Sequence, residues 1–432
     1  MSLPGCALKS GQAAEDSDLA AKQPNIILIM ADDLGYGDVG CYGNQSIRTP
    51  NIDALAKGGM RFADFHSNAP VCSPTRAALL TGRYQQRCGV DEVVYAKGPP
   101  RQTGMPLNEV TFAEVLKKAG YATSLCGKWH LGYRVEFNPT KQGFDEFHGY
   151  VSGNVDYHSH IDGAGVHDWW KDCERIREEG YVTDLITGHA VDFIERHRGK
   201  PFCLYVAHEA PHSPNQGRND PPQRLAGGKK QQDKGRRRET SEIYKEMIEV
   251  MDEGIGRVVS TVKRLGLERK TFIFFCSDNG ANKRGSNGPL TGYKGSLWEG
   301  GHRVPAIAYW PGRIRPGTVT GEIALSMDVF VTMASIAGAA LPDGAALDGV
   351  DLSPMLTANA KLPERSLFWR YRKQKAIRKG PWKLLVQGKN VRLHNLDGDI
   401  AEEHNLVQSK PRLVKQLRAE LSAWERDVLE CV

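Results

Sequence analysis

Long apolar runs are missing from this chain: none approaches the ~20 residues that a membrane-spanning helix requires, which speaks against a span. Metal-like Cys-x-x-Cys spacing is missing too, because the nine cysteines are scattered. An odd number cannot pair completely. Cys203 and Cys276 each sit inside an apolar, strand-like run and read as buried free thiols. Charge of one sign is not in excess either. The 57 basic and 51 acidic residues leave a net charge of +6. That balance calls for no nucleic acid; it fits an ordinary solvated surface, and it would also suit a weak attraction to anionic substrates.

What is present is enough chain for more than one core. At 432 residues the sequence reads as a large α/β domain over 24–345 and a smaller domain over 346–432. Residues 1–23 are polar, small and aperiodic, and read as a disordered leader. Leu3-Pro4-Gly5-Cys6 loosely resembles the end of a lipoprotein signal, without the apolar stretch that should precede it. A trimmed signal peptide and a leader added for expression both fit, and a periplasmic or secreted location is expected.

Asn25 to Ala31 is a continuous apolar run, the mark of a strand buried on both faces, and it ends in Asp32-Asp33. Phe202 to Ala207 ends likewise in His208-Glu209, and Thr271 to Cys276 in Ser277-Asp278-Asn279-Gly280. A shorter strand, Tyr121 to Cys126, runs into Gly127-Lys128-Trp129-His130. Helical patterns lie between them. Thr111 with Glu114 forms a capping box whose helix Gly120 closes. Tyr244, Met247, Ile248, Met251, Ile255, Val258, Val259 and Val262 trace one helical face. Strands alternating with helices predict a large, mostly parallel sheet sandwiched by helices. Ligands bind beyond the carboxyl ends of such strands. Here four of those ends carry carboxylates, histidines and a lysine, which points to one shared site.

Beyond about residue 365 the texture changes. Ser366–Tyr371, Lys375–Arg378, Trp382–Val386 and Val391–Leu396 alternate as in a small antiparallel sheet, followed by an amphipathic helix over about 411–428. The segment 215–238 is rich in Gly, Pro and charge. Its Lys229, Lys230, Lys234, Arg236, Arg237 and Arg238 fit either a solvated loop or a contact with a polyanion.

Cys72-Ser73-Pro74-Thr75-Arg76 is the most informative stretch. Pro74 favours a first helical turn, and Ala77 to Leu80 continue the helix until Gly82 stops it. Cys72 then sits at a helix N-terminus with Arg76 one turn on. By physics alone this is a reactive thiol beside an anion site, or else a helix-capping cysteine with a surface arginine. Asp32, Asp33, Asp278 and Asn279 are oxygen donors at the ends of two strands. Without a cysteine or histidine in the set, they suit Ca²⁺ or Mg²⁺ and not zinc.

These stretches resemble the type I sulfatases of the alkaline-phosphatase superfamily. Cys72 to Arg76, extended through Arg83, matches the family's C-x-P-x-R signature, and Gly120-Tyr121 through Gly127-Lys128-Trp129-His130-Leu131-Gly132 matches its second one. The resemblance covers roughly residues 24–430, in the family's order. It implies an alkaline-phosphatase-like fold and conversion of Cys72 to Cα-formylglycine by a separate generating enzyme. It also implies one Ca²⁺ on Asp32, Asp33, Asp278, Asn279 and the modified Cys72. Arg76, Lys128, His130, His212 and Lys294 complete a cationic cage for a group that gathers negative charge in the transition state. In the implied mechanism the hydrated aldehyde attacks sulfur, with His130 and Asp33 helping to deprotonate it. Lys128 and Lys294 hold the sulfate oxygens, and His212 protonates the departing alcohol.

Gly285 to Pro289 and Glu299-Gly300-Gly301 are most similar to stretches of N-acetylgalactosamine-6-sulfatases, so sulfated carbohydrate is the expected substrate. Asp156, His158 and His160, with Trp169-Trp170 nearby, fit a sugar pocket or a packed loop, and Arg303 is expected to join them at the substrate. Two rival readings are a phosphate or phosphonate ester hydrolase of the same superfamily and a non-catalytic binder of sulfated polysaccharide.

Overall fold

The computed structural model describes residues 23–230 and 238–430. The expected leader lies outside these apart from residue 23, as do Lys234, Arg236 and Arg237.

Ten strands form the main sheet. They are β1 (Asn25–Ala31), β2 (Met60–Phe62), β3 (Ala122–Lys128), β4 (Glu146–Tyr150), β5 (Trp170–Lys171), β6 (Glu174–Arg175), β7 (Phe202–Ala207), β8 (Thr271–Ser277), β9 (Ala306–Tyr309) and β10 (Thr318–Thr320). Their order is β10-β2-β9-β8-β1-β7-β3-β4-β5-β6. The central run β8-β1-β7-β3-β4 is parallel throughout, while β9, β5 and β6 enter antiparallel. The strand expected to end at Cys126 runs two residues further, so Lys128 is its last residue.

Apolar runs without alternation make sense once both faces are covered. Ile26, Leu28, Met30, Phe272 and Phe274 pack with helices α2 (Cys72–Thr81), α3 (Phe112–Lys118) and Asp328–Ala337 on one side. Ile27, Ile29, Ile273, Phe275 and Val206 pack with α1 (Pro50–Gly58), α4 (Val182–His197) and α5 (Thr240–Arg264) on the other. Each such side chain contributes roughly 1.5–3 kcal/mol on leaving water. The capping box at Thr111 and Glu114 is formed. Of the predicted α5 face, all but Val259 are fully buried.

Near the C-terminus, strands Ser366–Tyr371, Gln374–Lys379, Trp382–Gln387 and Asn390–Asn395 form a separate antiparallel sheet, backed by the helix Pro411–Leu429. Both of its faces are apolar, Leu367 and Trp369 on one and Ile377 and Leu393 on the other, and these residues belong to one core cluster with Val71, Ala78 and Tyr84 beside α2. A buried ionic network crosses the same junction. Lys383 Nζ lies 2.8 Å from Glu299 and 2.9 Å from Glu402, and Arg378 grips Asp64 at 2.9 and 2.7 Å. Removing one partner from such a pair strands the other charges away from water. Lys383→Met is therefore expected to cost about 3–5 kcal/mol of stability, measured by urea unfolding. A loss below 1 kcal/mol would mean that water reaches Glu299 and Glu402.

Candidate active site

The parallel order places the carboxyl ends of β8, β1, β7 and β3 side by side, and the charged residues that follow them converge. Asp32 and Asp33 leave β1, Asp278 and Asn279 leave β8, Lys128 ends β3, and β7 leads through His208-Glu209 to His212. Asp33 and His130 hold left-handed backbones, with φ of 64° and 59°. Such conformations cost about 1–3 kcal/mol for a residue with a Cβ and collect where side chains must be aimed.

Cys72 is the first residue of α2, entered from an extended Val71 and closed at Gly82, whose φ is 68°. All ten residues of this helix are buried, Arg76 included. Arg76 donates to Asp278 Oδ2 from Nε at 3.1 Å and from Nη2 at 2.9 Å, so the alternative of a surface arginine fails. Cys72 Sγ lies 3.5 Å from Asp32 Oδ1 and 3.3 Å from Lys294 Nζ. Lys128 pairs with Asp32, and Lys294 donates to Asp33 Oδ1 at 2.5 Å. His212 Nε2 stands 3.8 Å from Asp33 Oδ2. Thus Asp32, Asp33, Cys72, Arg76, Lys128, His212, Asp278, Asn279 and Lys294 are brought together. His130 lines the same cavity as Cys72, His212 and Lys294, a space of about 420 Å³.

Electrostatics correct one expectation. Burial, and then the carboxylates of Asp278 and Asp32, push the Cys72 thiol up to about 12. Its side chain is not a ready thiolate, because these effects outweigh the helix N-terminus and the two lysines. Burial alone would depress the Lys128 ammonium, but Asp32 more than offsets this and raises it. Asp33 shows the mirror case: burial lifts its carboxyl, yet Lys294 and His212 bring it well below the usual range. Burial, then the field of Lys294, lowers His212 to about 3. For His130, burial, Lys128 and Arg76 act together to hold the ring neutral. With Nε2 hydrogen-bonded to the Val94 carbonyl at 3.0 Å, its buried Nδ1 is left without a partner.

The carboxylates gathered here suit a hard divalent cation, with a thiol and an imidazole standing beside them. Ligand atoms of Asp32, Asp33, Cys72 and His212 all lie within 4.8 Å of one another. Asn279 spends its amide on Asp33 Oδ1 at 2.7 Å, leaving a buried Oδ1 with no partner. Burial and the like charge of Asp32 raise Asp278, the signature of crowded carboxylates wanting positive charge.

The four expected sugar contacts are not brought to this cavity. Asp156 accepts backbone N–H groups of His158, Ser159, Gln223 and Arg224, so its carboxylate shapes a loop. His158 bonds the Gly217 carbonyl, and His160 bonds that of Gly180 while stacking on Trp169. Arg303 is turned into the scaffold, on the Ala63 carbonyl and Glu299. These contacts tie all four side chains into the scaffold around the cavity. The cavity wall is built instead from Tyr95, Tyr133, Asn154 and Tyr371. Tyr371 arrives from the C-terminal sheet, which no local pattern could announce. Asn282, donating to Asp33 Oδ2 at 3.2 Å, was also missed, although it lies only three residues past Asn279.

Comparison with known proteins gives the family. Residues 24–339 match the sulfatase family model. An N-acetylgalactosamine-6-sulfatase of Mus musculus is 37% identical over 390 residues, covering 84% of this chain and 72% of that one. Arylsulfatase A of Bos taurus is 39% identical over 389 residues, covering 81% and 71%. Among solved structures, Ps i-CgsB in complex with k-i-k-neocarrahexaose superposes with a TM-score of 0.84 at 31% identity, covering 93% of each chain. Among the described residues no helix is long and apolar enough to cross a membrane. With the family matched over most of its length, and a buried cysteine set between strand-end carboxylates and two lysines, the chain belongs to the sulfatase family and is a sulfuric ester hydrolase.

Proposed function

We propose that this enzyme removes sulfate from sulfated carbohydrates of the galactosamine-6-sulfate kind, using formylglycine made from Cys72 and one Ca²⁺ held by Asp32, Asp33, Asp278 and Asn279. The observation that carries this reading is the position of Cys72 Sγ, 3.3 Å from Lys294 and 3.5 Å from Asp32 at the wall of an open cavity. The unpartnered Asn279 Oδ1 supports the cation, and oxygen-only strand-end donors favour calcium. The three tyrosines around the cavity suit a sugar ring, and sulfated sugars are what the name of the murine relative specifies.

Bound Ca²⁺ would draw charge from a sulfate oxygen, and the hydrated aldehyde would supply one oxygen to attack sulfur and a second to expel sulfate. The chain's own side chains do the rest. His130, neutral with Nδ1 bare, can accept a proton from the attacking hydroxyl. Lys128 and Lys294, both held as ammonium groups by neighbouring aspartates, face the charge that develops on sulfate. Arg76 locks Asp278 from beneath and keeps the carboxylates in register. His212 bonds the Ser213 carbonyl through Nδ1 at 2.6 Å, which leaves Nε2 for the departing oxygen. An anionic sulfate ester beside it offsets the field of Lys294 and favours the imidazolium that acid catalysis needs.

Exhaustive chelation is expected to abolish hydrolysis of both sugar and aryl sulfates and to lower Tm. Calcium should restore both, since a cation bound only by the folded state stabilises it. Full activity of metal-free protein, or a Tm indifferent to calcium, would remove the ion from the assignment. An aryl phosphate run in parallel separates sulfate from phosphate ester hydrolysis.

A further inference from the structure

A second cavity, of about 410 Å³, adjoins the first through a shared wall, Tyr133. Its lining includes Arg101, Arg134, Glu136, Trp170 and Arg175. Two of the three guanidinium groups lie over aromatic rings. Arg101 sits 4.7 Å from the centroid of Tyr133, and Arg175 sits 4.8 Å from that of Trp170. Both rings are themselves fixed: the Tyr133 hydroxyl accepts from Gly153 N–H at 3.2 Å, and Trp170 Nε1 donates to Asp168 at 2.5 Å. Arg101 is pinned further by Asp162 at 2.8 Å and by the carbonyl of Ala96, a residue lining the first cavity. Arg134 is paired with Glu136 at 2.9 Å. Arg175 lies on the exposed edge strand β6, and no described carboxylate stands within ion-pair range of it. The cavity therefore holds three arginines against one lining carboxylate, with Arg175 over its ring, exposed and without a carboxylate partner among the described residues.

We propose that this cavity is a subsite for a second anionic group, a carboxylate or sulfate on the sugar next to the one being desulfated, with Arg175 as its principal contact. The physical case is preorganisation. A guanidinium held on an aromatic face keeps its fork of N–H donors outward, so little side-chain freedom is lost when an anion docks. The edge position of Arg175 leaves that fork in water until substrate arrives. A chain running past Tyr133 passes from one cavity directly into the other. The enzyme is then built for charged oligosaccharides in preference to lone sugar sulfates.

This inference rests on the carbohydrate reading above, and the experiment separates the two. The substrates are galactosamine 6-sulfate, a tetrasaccharide alternating O-sulfated hexuronate with galactosamine 6-sulfate, the same tetrasaccharide with its hexuronate carboxyls reduced or with its hexuronate sulfates removed, and an aryl sulfate. The fully matured enzyme is expected to favour the tetrasaccharide over the monosaccharide in kcat/KM by about tenfold, the size of one charge-assisted hydrogen bond. If carboxylate is what the subsite reads, carboxyl reduction removes that advantage; if it reads sulfate, the advantage survives reduction but is lost when the neighbouring sulfate is removed. In either case Arg175→Ala should lower the ratio of tetrasaccharide to aryl sulfate kcat/KM, through KM, and Arg175→Lys should restore it only in part. Raised salt should shrink the wild-type advantage. Equal kcat/KM for monosaccharide and tetrasaccharide, or a ratio unmoved by Arg175→Ala, would overturn the subsite. Turnover of the aryl sulfate with none of any sugar sulfate would overturn the carbohydrate reading instead.

Discussion

Replacing Cys72 with alanine is expected to lower kcat/KM for every sulfate ester by about 10⁴-fold or more, as loss of a covalent nucleophile does. No other group in the cavity can stand in. Lys294 is held as an ammonium by Asp33, and His130 and His212 make no ester that could be discharged by the same route. The fold should survive, because exchanging one small buried side chain costs about 1 kcal/mol. A near-native Tm with abolished turnover would thus locate the loss in the chemistry. Burial of Cys72 at 2% exposure adds an expectation to the proposed conversion: it should precede folding, because the folded chain covers the side chain. Peptide mass spectrometry should find an aldehyde at position 72 after co-expression with a formylglycine-generating enzyme, but not after mixing the two folded proteins. Robust hydrolysis by Cys72→Ala would end the proposed mechanism.

His212→Ala and Lys294→Ala should both be costly, but in different patterns. A general acid typically contributes about 10²–10⁴-fold, and the benefit grows as the leaving group worsens. A sugar alkoxide needs the proton, whereas a nitrophenolate leaves without it. His212→Ala is accordingly expected to damage a sugar sulfate by about 10²-fold or more and an aryl sulfate far less. Lys294 lies 3.3 Å from Cys72 Sγ and, in the proposed mechanism, faces charge that develops whatever departs. Its removal should cost about 10²–10³-fold on both esters, the usual scale for one electrostatic donor. The measurement is kcat/KM for both variants on both substrates. Equal losses for His212→Ala would make it a positioning residue and pass the acid role elsewhere.

Much of the fold was legible because its strands are buried on both faces. Asn25–Ala31, Phe202–Ala207 and Thr271–Cys276 have no polar interruption, and each ends abruptly where chemistry begins. The helix from Cys72 to Thr81 was equally readable, since Pro74 and Gly82 mark its ends through backbone constraints that act locally. The expected charged set converged for a topological reason: neighbouring parallel strands deliver their carboxyl ends to one edge.

The substrate wall was not legible, and the reason is distance along the chain. Asp156, His158 and His160 look like a sugar pocket in one dimension, but each is consumed by carbonyl or N–H groups 2 to 68 positions away. Tyr371 belongs to a strand whose alternation predicts only burial, and it lines the same cavity as Cys72, 299 positions away, because the C-terminal sheet docks on α2. Charge behaviour was hidden for the same reason. A cysteine at a helix start reads as a reactive thiol until burial and two facing aspartates raise it. By itself the sequence determined what depends on near neighbours: strand and helix identity, the signature around Cys72, and oxygen donors at strand ends. Only the tertiary structure decided which polar groups are spent on the scaffold and which stay free for a ligand, because hydrogen-bond satisfaction and desolvation depend on partners the chain supplies from far away.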